Sequence, residues 1–245
     1  MEPMSALAWG AFAAASLVLG ALLALWRPWP DRALGAVLAF GAGALISAVS
    51  FDLALEGFTE GDRGWLAFGI GTGALTYFAL DQLVSRLGVA EGASRPRKGS
   101  ESDAGTALAL GAFLDGIPEQ LVLGIGIAAG EGVSVGLLVA IFISNLPEAM
   151  GSASDMRENG KSSRSILGLW LVVAAICTLA TVVGFAIADA GGGNFRAWID
   201  GFAAGALLVM LVDSMIPEAA RKTGPAAGLV TVLGFALAAA LSAST

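Results

Sequence analysis

The chain has 245 residues, 56% of them hydrophobic and 13% charged, with a formal net charge of −7 and a mean hydropathy of +0.79. Soluble domains are about half apolar and about a quarter charged, so the surplus apolar surface is expected to face lipid. There is no histidine, which removes the commonest general base and the commonest transition-metal ligand together; a histidine-dependent hydrolase is excluded, and any metal site is expected to use oxygen donors.

Hydrocarbon about 30 Å thick needs roughly 20 apolar helical residues. Stretches of that kind run over 5–26, 33–57, 64–87, 104–129, 132–156, 165–188, 196–218 and 225–244. They predict an all-α integral membrane protein, one transmembrane domain over 1–245 formed by a bundle of eight transmembrane helices. The first stretch has Glu2 and no basic residue before it, so a signal peptide is not expected. Breaks fall at Arg27-Pro28-Trp29-Pro30-Asp31-Arg32, at Glu60-Gly61-Asp62-Arg63-Gly64 and at Ala190-Gly191-Gly192-Gly193-Asn194. The polar run within 88–104 is predicted to be a flexible cytoplasmic loop. Cys177 is the single cysteine and sits in an apolar run; no disulfide framework is available to it, and together with the methionines it reads as packing.

Charge orients the bundle. Loops on one side hold Arg27, Arg32, Arg86, Arg95, Arg97, Lys98, Arg157, Lys161, Arg164, Arg221 and Lys222, leaving only Arg63 and Arg196 for the other. The positive-inside rule assigns the first side to the cytoplasm and both termini to the outside of a cell membrane. The second and seventh spans also repeat: Phe40-Gly41-Ala42-Gly43-Ala44-Leu45, running on to Glu56, parallels Phe202-Ala203-Ala204-Gly205-Ala206-Leu207, running on to Glu218. The offset is 162 residues at both ends (Phe40 to Phe202, Glu56 to Glu218). The two copies cross in opposite directions, so an inverted repeat of spans 1–3 and 6–8 around central spans 4 and 5 is expected, a plan found in alternating-access transporters. Two similar small-residue packing faces are the bland alternative.

Chemistry concentrates on the central spans. The fourth carries Phe113-Leu114-Asp115-Gly116-Ile117-Pro118-Glu119 and the fifth Phe142-Ile143-Ser144-Asn145-Leu146-Pro147-Glu148. Each reads Phe, aliphatic, polar, small, aliphatic, Pro, Glu, and the spacing of four puts Asp115 with Glu119, and Ser144 with Glu148, on one helical face. At 1.5 Å per residue Asp115 lies roughly 16 Å and Ser144 roughly 18 Å along its span, near mid-membrane. Pro118 and Pro147 remove two backbone donors and free the carbonyls of Leu114 and Ile143. Carboxylates at that depth cost at least about 2.5–3.5 kcal/mol each, so Asp115, Glu119 and Glu148 need a compensating cation or a proton. Protonated carboxyls bonding between helices are the structural alternative.

These motifs resemble those of the ZIP (Zrt/Irt-like protein) metal transporters, and the resemblance covers essentially the whole chain. It implies eight spans, both termini outside and a metal site on the fourth and fifth. The family's first motif reads His-Asn-x-Pro-Glu-Gly and its second His-Glu-x-Pro-Glu. By position Asp115 stands for the first ligating His, Glu119 and Glu148 match the ligating Glu residues, Ser144 replaces the second His and Asn145 an acidic ligand. Gly116 has no side chain where the family ligates through Asn, residues 165–187 hold no acid where the family has a further ligand on the sixth span, and the histidine-rich loop is missing. One metal site is therefore expected.

The resemblance implies zinc, iron or manganese as substrate. The oxygen-only donor set suits manganese, magnesium or calcium and leans towards manganese or another harder ion; taken with the resemblance, magnesium and calcium are the less favoured, and no organic cofactor is expected. Asp52 and Glu56 near the outer end of the second span, and Asp213 and Glu218 near the inner end of the seventh, are candidate pathway acids; interfacial carboxylates in water are the alternative for Glu56 and Glu218. Lipid and a divalent cation are the expected partners, a homodimer is allowed for, and nucleic acid is not expected. The sequence thus points to transmembrane transport of a divalent metal cation rather than to an enzyme. A membrane protein that binds or senses a metal without moving it is the alternative.

Overall fold

The computed structural model describes residues 3–86, 103–128, 134–189 and 191–242, and every regular element among them is helical. In chain order these are α1 (Pro3–Trp26), α2 (Asp31–Ala48), a π-helical stretch (Val49–Ala54), α3 (Leu55–Glu60), α4 (Arg63–Arg86), α5 (Asp103–Ala128), α6 (Val135–Glu158), α7 (Ser163–Asp189), α8 (Gly193–Met210), a second π-helical stretch (Leu211–Met215), α9 (Ile216–Thr223), a 3-10 turn (Gly224–Ala226) and α10 (Ala227–Ser242). Within the described residues, each apolar stretch read from the sequence falls almost wholly on helix. The loop expected over 88–104 lies outside the described residues but for Asp103 and Ala104, which open α5.

By length and apolarity alone, five described stretches qualify to cross a membrane: Pro3–Trp26, Asp31–Thr59, Val135–Glu158, Ser163–Ala188 and Gly193–Ser242. Two expected spans fall short of that criterion for clear reasons. In α4, Arg63, Thr72, Thr76, Asp81 and Arg86 dilute the apolar residues, and the threonine hydroxyls donate back to the helix, Thr72 to the Phe68 carbonyl at 2.9 Å and Thr76 to the Thr72 carbonyl at 2.7 Å. In α5 the apolar described part is the shorter Gly116–Ala128. The Gly193–Ser242 stretch, by contrast, is too long for one straight crossing: its 50 residues would extend about 75 Å. It reverses at Gly224, where φ is +77°, a value that glycine adopts without the steric penalty of a Cβ. The reversal shows in the neighbours of α2: Gly35 faces Lys222 and Thr223, Gly41 faces Met215, and Gly43 faces Thr231. Thus α9 runs antiparallel to α2, and α10 returns alongside it.

Two groups of helices result. In the first, α1 packs on α6 where Gly20 meets the Leu146 carbonyl and Ala149, and on α7 where Gly10 meets Thr181; α5 packs on α7 where Gly124 and Gly184 meet the carbonyls of Thr181 and Leu121. In the second, Gly43 meets the Thr231 carbonyl and Gly234 the Phe40 carbonyl between α2 and α10, while Gly205 meets the Ile70 carbonyl and Gly73 the Phe202 carbonyl between α4 and α8. Such backbone-to-backbone approach is how membrane helices gain packing when lipid supplies no hydrophobic drive between them. The outward faces keep large apolar side chains, among them Phe12, Phe68, Leu75, Leu179, Val212 and Leu229, a surface that suits lipid and not water.

Candidate metal centre

Helices α5 and α6 run unbroken through Pro118 and Pro147, and their motifs meet in the interior. The Ser144 hydroxyl lies 3.0 Å from Glu119 Oε1 and 3.0 Å from the Ile141 carbonyl, two acceptors for its one proton. Glu119, Ser144 and Asn145 are fully buried, and Glu148 is half-buried. Ser144, Asn145 and Glu148 fall within a sector of about 100° on a helix of 3.6 residues per turn. Ser144 at one edge meets α5. Ala149, just beyond the other edge, meets α1. The α6 sector between them therefore faces other helices, α5 and α2 at the Ser144 edge and α1 at the Ala149 edge.

That interior holds polar atoms without protein partners. Both amide atoms of Asn145, Nε2 of Gln120 and Oγ of Ser152 are buried and make no hydrogen bond. A buried polar group left unsatisfied costs about 1–3 kcal/mol, so a set of them on one side of α6 suits a site that receives a polar or charged guest. Among the described residues, no three Cys, Asp or Glu side chains gather closely enough to hold an ion by themselves. The Asp115 side chain lies outside the described ones, and so does that of Glu56.

The other predicted acids divide. Asp52, in the first π-helical stretch, is half-buried and accepts from Ser134 Oγ and Ser242 Oγ, each at 2.9 Å. Ser134 also caps α6, accepting from the Leu137 amide at 3.1 Å, so Asp52 ties the start of α6 and the end of α10 to α2. Asp213, in the second π-helical stretch, is exposed. Glu218 pairs with Lys222 one turn on, Nζ to Oε1 2.6 Å. The structure thus brings together Glu119 with Ser144, and on α6 Asn145 with Glu148; it sets Asp52 and Asp213 apart from them.

Two residues at this centre go beyond the sequence reading. Gln120 is fully buried, and its Oε1 accepts from Thr181 Oγ1 of α7 at 2.6 Å. Cys177, read as packing, is fully buried in the apolar cluster that α1, α6 and α7 share, and it lies beside the motif of α5. Its Sγ stands only 3.0 Å from where a Cβ on Gly116 would sit. The absent side chain at Gly116 was the one local hint of a neighbour reaching in.

Comparison with known proteins agrees with this architecture. The family profile described as ZIP Zinc transporter matches residues 89–242, well over half of the chain. An Arabidopsis thaliana protein whose name describes a zinc transporter is 30% identical over 216 residues, covering 86% of this chain and 34% of that protein. Zinc transporter SLC39A7 of Mus musculus is 25% identical over 160 residues, covering 60% of this chain and 34% of its own length; its Homo sapiens counterpart is 24% identical over 157 residues, 59% and 34%. The chain spans about a third of the length of these relatives. On the family match and the apolar helices, this chain is a multi-pass membrane protein belonging to the ZIP zinc transporter family.

Proposed function

We propose that the chain carries a divalent metal cation across a cell membrane by alternating access through a mid-membrane site of Asp115, Glu119, Ser144, Asn145 and Glu148. The observation that carries this is the buried contact of Ser144 with Glu119 between two proline-bearing helices, beside an Asn145 amide with neither atom bonded. Glu119 and Glu148 supply negative charge, Ser144 orients Glu119, and the amide oxygen of Asn145 completes a set of hard donors. The relatives named for zinc favour zinc as cargo; the oxygen donors favour manganese, the family resemblance adds iron, and magnesium and calcium are the less favoured.

Eight crossings and an inverted repeat belong to the same proposal. In support, the reversal at Gly224 divides the last apolar stretch into two passes, and α4 packs along α8 over much of its length. Matched contacts recur, with the α2 and α8 members 162 residues apart and the α4 and α10 members 161 apart: Gly43 meets Thr231 as Gly205 meets Ile70, and Gly234 meets Phe40 as Gly73 meets Phe202. The π-helical stretches begin at Val49 and Leu211, again 162 apart. Such π segments are frequent at functional sites.

The glycine seams bind each group of helices internally. Between the groups run the Ser134–Asp52 bond, the bond from Arg196 Nη2 to the Ala128 carbonyl at 2.6 Å and the approach of Gly41 to Ser144. A hydrogen bond contributes about 1 kcal/mol, little enough for one group to shift against the other. With the basic loops in the cytoplasm and both termini outside, Asp52 and Glu56 stand at the outer mouth, and Asp213 and Glu218 at the inner.

Uptake of zinc and manganese into proteoliposomes, compared between wild type and the double substitution Glu119→Ala with Glu148→Ala, tests the proposal. Flux in the wild type and its loss in the variant is the expected result; equal uptake refutes it. Stoichiometric metal binding with no flux in the wild type would favour a metal-binding or sensing protein instead.

A further inference from the structure

We propose that Lys222 is a built-in counter-ion of the transport path: its ammonium closes the inner exit by lying across α6 one turn inward of Glu148, and the departing cation displaces it from Glu218. The proposal rests on the transport reading above and deepens it. Four observations support it. First, Lys222 belongs to α9, yet its Nζ is only 3.2 Å from where a Cβ on Gly151 of α6 would sit. The ammonium therefore reaches from one group of helices to the other. Second, Ser144, Glu148, Gly151, Ser152 and Asp155 fall within one sector of about 100° on α6. The face that carries Ser144 and Glu148 thus continues past Lys222 to Asp155, which is exposed near the end of the helix. Third, Ser152 Oγ is buried on that face without a hydrogen-bond partner, as befits a passage for a polar guest. Fourth, the Lys222 side chain is only 17% exposed, and its Nζ is 2.6 Å from Glu218 Oε1.

The surroundings make this more than a surface ion pair. Gly35 of α2 brings α9 close: a Cβ there would stand 2.6 Å from Lys222 Cβ. The stem of the lysine is thereby packed against α2 while its charged end is carried over α6. Gly151 in turn leaves the space beside which the ammonium lies. An i, i+4 pair contributes little by itself, which suits a contact that must open in every cycle. At equal distance a divalent cation attracts a carboxylate with twice the Coulomb energy of an ammonium. An ion that reaches Glu218 can therefore take the place of Lys222 and repel it from the face of α6. Once the ion has left, the lysine closes on Glu218 again.

The test uses the full chain carrying Cys177→Ala and Ser152→Cys, so that its one thiol lies on the α6 face beside Gly151. In lipid nanodiscs without metal, Lys222→Met and Glu218→Gln are each expected to raise the rate of labelling by uncharged iodoacetamide about tenfold, the scale of one lost charged hydrogen bond. Lys222→Arg keeps the charge and is expected to leave that rate nearly unchanged. In proteoliposomes Lys222→Met is expected to raise the zinc concentration for half-maximal uptake about fivefold, because an exit that no longer closes leaves less protein open to the outside. Unchanged labelling in Lys222→Met and Glu218→Gln, or an unchanged half-maximal concentration, overturns the proposal and leaves the transport reading standing. Absence of zinc uptake by the wild type sinks both.

Discussion

The two groups of helices use much the same residues to bury different things. In the group of α1, α5, α6 and α7 the interior is polar: of the nine fully described buried polar residues, Ser16, Glu119, Gln120, Ser144, Asn145, Ser152 and Thr181 belong there, against Ser47 and Asp200 in the group of α2, α4, α8 and α10. Glycine set against backbone carbonyl holds both groups, but the latter buries little else that is polar. One group is a frame whose stability comes from close packing; the other also accepts buried polar atoms that weaken it, and on the function proposed here these would serve a cation site. Position in the fold, not overall composition, separates the two roles.

The sharpest way to break this division is to remove the carboxylates. Glu119→Ala with Glu148→Ala is expected to lower metal uptake by about 100-fold or more, at or beyond the upper end of what losing an outer-shell partner of a metal costs, while thermal stability in detergent holds or rises because buried carboxyls are costly. A large drop in stability with the loss of uptake would make these acids structural. The converse test is a frame substitution. Gly205→Val drives a side chain into the Ile70 carbonyl and is expected to lower stability by about 1–3 kcal/mol; Gly71→Val, with nothing within 4 Å, is the control and leaves the melting temperature nearly unchanged.

Two smaller effects refine the comparison. Asn145→Ala removes an amide that has neither atom bonded; it is expected to stabilise the metal-free protein by about 1 kcal/mol while weakening metal binding about tenfold, a trade visible by melting with and without Zn²⁺. Ser134→Ala breaks one contact between the groups at Asp52. It is expected to change uptake by about twofold to fivefold, in keeping with one hydrogen bond of about 1 kcal/mol, with equilibrium metal affinity at the centre unaltered.

The fold was legible where apolar length decides structure. Long lipid-compatible runs admit little but helix, because every backbone polar group must bond within its own segment. α4 was read as a span like the others, yet its threonines and charges keep it below the apolarity of the longest spans although glycine packing holds it to α8. The Pro-Glu motifs announced Glu119, Ser144 and Glu148 because proline and carboxylate are both conspicuous in an apolar helix. Gln120 was illegible for the opposite reason: it is a single residue in an ordinary run, and what matters is a contact 61 residues away in sequence, with Thr181. The π-helical stretches carry no local signature beyond their shared offset, and the pairing of Glu218 with Lys222 could have been read from the i, i+4 spacing of opposite charges.

The central claim is that a cation sits between α5 and α6. Anomalous X-ray scattering from crystals soaked in Zn²⁺ tests this most directly. The account predicts an ion bridging Glu119 and Glu148 in the membrane interior, with occupancy lost in Glu119→Gln. Zinc found only at exposed acids such as Asp213, with the interior motifs unoccupied at saturating metal, would contradict it.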